Sequence, residues 1–285
     1  LLWKRELGSP QHLFGGGPSV VFVGDLLVVT FGPGKEQFYA SFDVATGAEV
    51  WRLEMPRINE ANPLEGPDAP ELPEGTDMRD PFGSWATPLP LALPEGTELI
   101  LAMPGELRAV DPRNGEKLWG VAVPRAQIIA SPAYGSDLVV MQCGSAFAVQ
   151  PGRKGEVHEA DLQWHLKNDP ERIASPLIVD DYLFGLTMNS VVDCRDVGTG
   201  EVLWKERLSH GGSAGNSWGS LVAAGQRVFA LTQSGTTFVF AADVPFRLLS
   251  VNPLGETTNA TPAIYGDAIY IRTDQHLWCL GENAI

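Results

Sequence analysis

Asp196-Val-Gly-Thr199-Gly200-Glu-Val-Leu-Trp204 is the stretch whose reading decides the fold. The same residue types recur as Asp43…Thr46-Gly47…Trp51 and as Asp111…Asn114-Gly115…Trp119. In all three copies the Asp stands four residues before the Gly and the Trp four after it. A fixed internal spacing that recurs along a chain marks a repeat architecture. Each residue type has a structural task. The Asp can bond turn backbone, the Gly supplies a positive φ, and the Trp can cover the seam to a neighbouring unit.

A second mark runs alongside the first: a small residue, Ser or Thr, then Pro, opening an apolar run. It occurs as Ala86-Thr87-Pro88, Ala130-Ser131-Pro132, Ala174-Ser175-Pro176 and Ala260-Thr261-Pro262, at steps of 44, 44 and 86 residues. Gly219-Ser220-Leu221 falls where the missing copy belongs, and Pro18-Ser19-Val20 is an earlier variant. The spacing predicts six repeats, with an insertion at 56–82 accounting for the one long interval. Within the fourth repeat, Pro176–Val179, Tyr182–Thr187, Val191–Arg195 and Val202–Leu208 read as short strands, separated by Asp, Asn, Ser and Gly turns. Four short strands in each period of about 44 residues is the pattern of a β-propeller blade. No segment of ten or more residues keeps a helical period without Gly or Pro, which argues against a helical solenoid. The fold expectation is an all-β propeller of four-stranded antiparallel blades, six of them in this chain. It is read as a single domain over 1–285 with an acidic, Pro-rich loop at 56–82. The third repeat is degenerate, with a longer turn from Gly155 to Trp164.

Leu1-Leu-Trp-Lys-Arg-Glu-Leu7 nearly copies Val202–Leu208, so it reads as an outermost fourth strand. Ile269–Gly281 supplies second and third strands, after which the chain stops. The N-terminal strand either closes the last blade or belongs to an upstream one.

Composition narrows the function classes. The net charge of −15 argues against nucleic acid and against an anionic membrane surface. Apolar runs are far too short for a transmembrane helix, which takes about 20 residues. No signal peptide is visible, although the chain starts inside an expected strand and a targeting segment could lie upstream. Three well-separated cysteines, Cys143, Cys194 and Cys279, form neither a disulfide framework nor a zinc knuckle. Cys194 and Cys279 fall at a small position of the third strand and read as buried apolar residues.

The motif Ala-x-Asp-x-x-Thr-Gly-x-x-x-Trp resembles the PQQ-like propeller repeat of quinoprotein alcohol dehydrogenases and of the propeller lipoprotein of outer-membrane barrel assembly. The closing section, from Gly215-Asn-Ser-Trp-Gly-Ser to His276-Leu-Trp-Cys279, looks most like large secreted bacterial proteins of that repeat type. The resemblance implies an extracytoplasmic, envelope-associated location and a larger ring, eight blades being common among such relatives. It also raises the alternative of a PQQ-dependent dehydrogenase. Such enzymes hold the quinone between a Trp and a disulfide of adjacent cysteines, beside a calcium ion. This sequence has no adjacent cysteine pair and no carboxylate cluster with calcium-loop spacing. No cofactor or metal is therefore expected, with PQQ and calcium entering only under the alternative, and no catalytic residue is assigned.

Several local patterns bear on chemistry. Gly211-Gly-Ser213-Ala-Gly215 matches a nucleophile elbow, but a strand and not a helix is expected after it, so an inter-blade loop is the better reading. Gly15-Gly16-Gly17 likewise precedes no helix and is a loop. Asn259-Ala-Thr261 is a glycosylation sequon by pattern and reads as a backbone cap at a strand start. The insertion carries Glu60, Glu65, Asp68, Glu71, Glu74, Asp77 and Asp80, a composition suited to a solvated loop or to partner binding. The loops from fourth to first strands hold His12, Arg125, Gln127, His165, Arg172, His210 and Asn216, with Trp85 and Trp218 near the starts of first strands. These form the candidate ligand-binding set on the funnel face of a propeller; the competing reading is that each Trp packs a blade junction and each His is solvated. The functional expectation is a non-catalytic scaffold that binds a protein or small ligand. Besides the dehydrogenase, a polysaccharide-binding accessory is a third reading, suggested by Trp85 and Trp218.

Overall fold

The structure is a computed structural model and describes residues 1–9, 12, 15–34, 36–56, 83–123, 125, 127–211 and 215–281. Most of the acidic insertion at 56–82 and the centre of the Gly211–Gly215 pattern, Ser213 included, lie outside the described residues.

The first sheet runs β1 (Val21–Val23), β2 (Leu26–Phe31), β3 (Phe38–Asp43) and β4 (Glu49–Glu54), in spatial order β1-β2-β3-β4. Next comes β5 (Gly83–Ser84). The second sheet contains β6 (Leu89–Leu93), β7 (Gly96–Met103), β8 (Gly105–Val110) and β9 (Lys117–Val123). β10 (Gln127–Ile128) pairs in parallel with β5. The third sheet is β11 (Ala133–Gly135), β12 (Leu138–Gln142), β13 (Ala146–Val149) and, after β14 (Gly155–Val157) and a single 3-10 turn at Glu159–Asp161, β15 (Trp164–Leu166). The fourth is β16 (Leu177–Val179), β17 (Tyr182–Leu186), β18 (Val191–Asp196) and β19 (Val202–Arg207). The fifth is β20 (Val222–Ala224), β21 (Arg227–Leu231), β22 (Thr236–Ala241) and β23 (Leu248–Pro253). The sixth, β24 (Ala263–Tyr265), β25 (Ala268–Arg272) and β26 (Leu277–Gly281), has three strands. The chain is an all-β propeller built from antiparallel meander blades. It falls into two compact units, residues 1–132 with 151–162, and residues 133–150 with 163–285.

The repeat residues explain how one blade meets the next. In the turn after β3, Asp43 Oδ1 accepts from Thr46 N (2.8 Å) and Thr46 Oγ1 (2.6 Å), and Gly47 has φ 71°. A Cβ on Gly115 would stand 3.0 Å from the ring of Trp51, whose indole N–H donates to Pro112 O at 2.8 Å. Trp164 sits on Gly200 in the same way and donates to Val197 O at 2.8 Å. Trp51 and Trp164 therefore each lie on the Asp-to-Gly turn of the following blade, and the Gly there is needed both for its backbone angle and for the ring above it.

The Ser/Thr-Pro mark is a ladder between blades. Ser19 N donates to Thr87 Oγ1 (3.0 Å) and Thr87 N to Ser131 Oγ (2.8 Å) in the first unit. Ser175 N donates to Ser220 Oγ (3.0 Å) and Ser220 N to Thr261 Oγ1 (2.9 Å) in the second. Ser220, the copy lacking its Pro, makes the same bond as the others.

Three expectations change. Residues 1–9 form no strand, and among the described residues no strand pairs with them. Trp3 nevertheless takes the seam position: its N–H donates to Val44 O (2.7 Å), its ring covers Gly47, and Leu7 packs on Phe31, Phe38, Ala40 and Phe42. Cys279 is exposed, because it lies on β26, the uncovered edge of the three-stranded sheet. The long turn of the third repeat is not a loop throughout. β14 adds to β9 in parallel, and Lys117 Nζ bridges Glu106 and Glu156 at 2.5 Å each.

Candidate functional site

The segments leading into first strands share one register. Two residues before the small residue of each triplet, Ser84, Ile128, Arg172, Ser217 and Thr258 are all buried. The next position, Trp85, Ile129, Ile173, Trp218 or Asn259, is half-buried or exposed. The buried position anchors the segment. Ser84 Oγ donates to Ala102 O (2.6 Å), Ser217 Oγ bonds Ser190 Oγ (2.8 Å), and Thr258 Oγ1 donates to Arg272 O (2.6 Å).

In the first unit this register brings several predicted residues together. Trp85 donates from its backbone N to Ile128 O (2.8 Å) and from its indole to Gly15 O (3.1 Å). The His12 ring meets Trp85 edge-on, with centroids 4.8 Å apart at 79°. Gln127 pairs with Gly83 across the β5–β10 ladder, two residues from Trp85. Arg125 is half-buried, and its carbonyl accepts from Gly105 N at 2.9 Å. The Gly15–Gly17 loop is thus a support for an indole. The same unit holds a polar cleft of about 730 Å³ beside Asp25, Glu95, Glu98 and Asp111. There Glu98 Oε2 accepts from Trp119 Nε1 (2.8 Å) and from Gly152 N (3.3 Å). Glu98 stands in for the turn carbonyl that the other tryptophans use.

In the second unit, His210 and Asn216 are exposed, Trp218 is half-buried, and Asn216 O accepts from Gln233 N at 2.7 Å. His165 is half-buried and meets Phe147 edge-on at 6.3 Å. The Asn259 side chain is exposed and accepts from Gln233 Nε2 at 2.6 Å, so it bonds a side chain and not backbone.

Arg172 departs from the expectation of an open loop residue. It is 1% exposed and belongs to a buried quartet with Asp169, Asp193 and Arg195. Its Nη2 lies 3.0 Å from Asp193 Oδ2, and Arg195 Nη2 lies 2.5 Å from Asp169 Oδ1 and 2.7 Å from Asp193 Oδ2. Two cations and two anions neutralise one another, which is the condition for burying any of them. A Cβ on Gly185 would stand 2.7 Å from Asp193 Oδ1 and 2.9 Å from Arg172 Cζ, so only glycine leaves room for the quartet. Sequence reasoning missed Asp169, Asp193 and Arg195. The available signal was Arg172 occupying the register position held elsewhere by Ser, Ile or Thr.

Cys143 and Cys194 are buried thiols, and burial, with a contribution from the Asp193 charge, pushes Cys194 up to about 12. Such a thiol is a packing residue, not a nucleophile. Among the described residues no three His, Cys, Asp or Glu side chains converge as metal donors, and no cysteine pair offers the quinone sandwich. Among the described residues the donor set does not fit a quinone–calcium centre. No helix among the described residues is long and apolar enough to cross a membrane.

A profile of the family described as outer membrane protein assembly factor BamB matches residues 36–283. The chain belongs to this family. No curated protein sequence matches it. Among solved structures it is similar to BamB from Moraxella catarrhalis, with TM-score 0.59 and 14% identity over 93% of this chain and 72% of that one. It is also similar to the C-terminal WD40 domain of Sif2, with TM-score 0.58 and 9% identity over 95% of this chain and 67% of that one. The quinohemoprotein alcohol dehydrogenase ADHIIG from Pseudomonas putida HK5 gives TM-score 0.54 and 14% identity, over 86% of this chain and 42% of that one. At these identities the likeness is one of fold.

Proposed function

We propose that this BamB-family chain is a non-catalytic, extracytoplasmic scaffold whose loops into the first strands bind a protein partner. The observation that carries the reading is the family match over residues 36–283, to a family described as an assembly factor. The surface fits that task. His12 with Trp85 in the first unit, and His210, Asn216 and Trp218 in the second, combine aromatic area with polar groups. Such a mixture is typical of interface anchors. The acidic insertion at 56–82 extends the same set of connections in sequence.

The test places a photo-crosslinking residue at His12 or Asn216, and as a control at Thr199 in an Asp-to-Gly turn, in cells that make the protein. Adducts with the same envelope protein from the first two sites and none from Thr199 are the expected result. Adducts from Thr199 alone would overturn the surface assignment. PQQ titration with calcium settles the competing dehydrogenase reading. Saturable, calcium-dependent quenching of tryptophan fluorescence would replace the scaffold by a quinoprotein.

A further inference from the structure

In the first, second, fourth and fifth sheets the fourth strand meets the third with a bulge, and the residue paired just before that bulge faces the next seam. Trp51 pairs with Ser41, Trp119 with Ala109 and Trp204 with Cys194 at this position. In the fifth sheet the position is held by Ser250, paired with Val239 just before its own bulge. The seam between the fifth and sixth sheets has therefore lost its indole.

A cavity of about 570 Å³ lies there, lined by Phe229, Val239, Ser250, Ile269, Ile271 and Leu280 among others. Thr237 reaches the same cavity and is buried, and among the described residues its hydroxyl has no hydrogen-bond partner. The volume falls in the range of small-molecule sites, about 300–1,000 Å³, which are apolar pockets with few polar groups. An orphaned buried hydroxyl is costly unless something bonds it.

We propose that this seam is a binding site for a small planar aromatic molecule of indole size, whose N–H donates to Thr237 Oγ1. The argument for the ligand class is internal to the chain. Wherever the slot is filled, at Trp51, Trp119 and Trp204, an indole fills it. In those cases the indole N–H also finds an oxygen: Pro112 O for Trp51, Glu98 Oε2 for Trp119 and Asp243 O for Trp204. At the hollow seam the ring is missing while an oxygen acceptor stands free. A flat bicyclic ring matches the largely apolar walls, and its N–H matches the Thr237 hydroxyl among the polar lining residues Arg227, Thr237, Ser250 and Asn252.

Calorimetric titration of the full chain with indole, beside indene as the analogue without the N–H, tests the proposal. Saturable one-to-one binding of indole is expected, and Ser250→Trp should abolish it by placing the chain's own ring in the slot. Thr237→Val should weaken indole by about three- to tenfold, the worth of one hydrogen bond, while leaving indene unchanged. No saturable heat up to about 5 mM, where even weak fragments register, would overturn the site, as would indole binding that survives Ser250→Trp. If Ser250→Trp does not fold, the Thr237→Val comparison decides, and equal effects on indole and indene would sink the assignment.

Discussion

The fifth sheet has two faces, and the seams on them are built differently. On the side of the fourth sheet, the Trp204 ring lies 5.9 Å from Phe184, 5.9 Å from Phe240 and 5.0 Å from Phe246, above a floor of buried Leu186, Val192, Cys194 and Phe238. On the side of the sixth sheet, Ser250 occupies the matching ladder position and a cavity stands in place of the ring. The strand order and pairing of the fifth sheet do not distinguish the two sides. The backbone repeat therefore sets where a seam lies, and one side chain sets whether it is solid. The seam between the third and fourth sheets is a third variant. There Trp164 and Leu183 share the seam with the charged quartet around Gly185.

The charged variant should be the most fragile to a single change. Arg172→Met leaves Asp169 and Asp193 buried with one cation fewer, and removing one partner of a buried pair costs about 3–5 kcal/mol. Urea unfolding should show a loss of that size. A loss below about 1 kcal/mol would mean that the quartet is solvated in solution. Next comes the aromatic seam. Trp204→Ala should cost about 3 kcal/mol, the lower end for a tryptophan because the ring is only half-buried. The equivalent change at the hollow seam, Ser250→Ala, should stay within about 0.5 kcal/mol. Ser250→Trp should reverse the contrast and stabilise by about 0.5–2 kcal/mol as a cavity-filling change. Equal losses for Trp204→Ala and Ser250→Ala would break the comparison.

How much of this the sequence showed depends on the range of the interaction. The turn Asp, Thr and Gly act within five residues, so their spacing survives in the sequence and revealed the blade. The Ser/Thr-Pro mark was equally legible as a period, although the bond it encodes spans 41–68 residues and only the structure shows that the hydroxyl accepts from the preceding blade. In sequence, Arg172 falls in a fourth-to-first connection, where an accessible cation on the funnel face is the expectation. Its partner Asp169 is three residues away, but Asp193, and the Arg195 that shares both carboxylates, lie more than 20 residues away, and nothing in local composition couples them. Residues 1–9 failed in the opposite direction. Their pattern is that of a fourth strand, but a strand is a property of a pair, and among the described residues no strand pairs with them. Trp3 kept the part of the pattern that needs only the next blade, its seat on Gly47. The hollow seam leaves no such mark, because the absence of a Trp from the fifth repeat gives no volume and no orphaned Thr237.

The blade-to-blade ladder gives a smaller test on both sides of the fifth sheet. Thr261→Val removes the acceptor for Ser220 N between the fifth and sixth sheets, and should cost about 1 kcal/mol. Ser220→Ala removes the acceptor for Ser175 N on the other side and should cost a similar amount. A clearly smaller loss for Thr261→Val would show that the hollow seam already lets its sheet move.

The sixth sheet has a compensating anchor at the surface. Glu256, in the connection from the fifth sheet, accepts from Thr273 Oγ1 (2.6 Å) and contacts His276 Nδ1 (2.6 Å), and Trp278 Nε1 donates to the same Thr273 hydroxyl (3.2 Å). The Thr273 hydrogen bond first, with His276 adding to it, holds the Glu256 carboxyl below its ordinary value of 4.5. A carboxyl lowered in the folded state stabilises fully above its unfolded value and loses that contribution as pH falls through the folded one. The sixth sheet should therefore loosen in acid below about pH 4.5, while the fourth and fifth sheets, joined by Trp204, hold on. Hydrogen exchange of β25 and β26 amides, corrected for the intrinsic pH dependence of exchange, should show this as protection lost ahead of β21 and β22. Glu256→Gln removes the titrating group, so the acid step should vanish while the protection seen at neutral pH falls slightly. An acid step that persists in Glu256→Gln would place the pH sensitivity elsewhere and leave the hollow seam without its polar anchor.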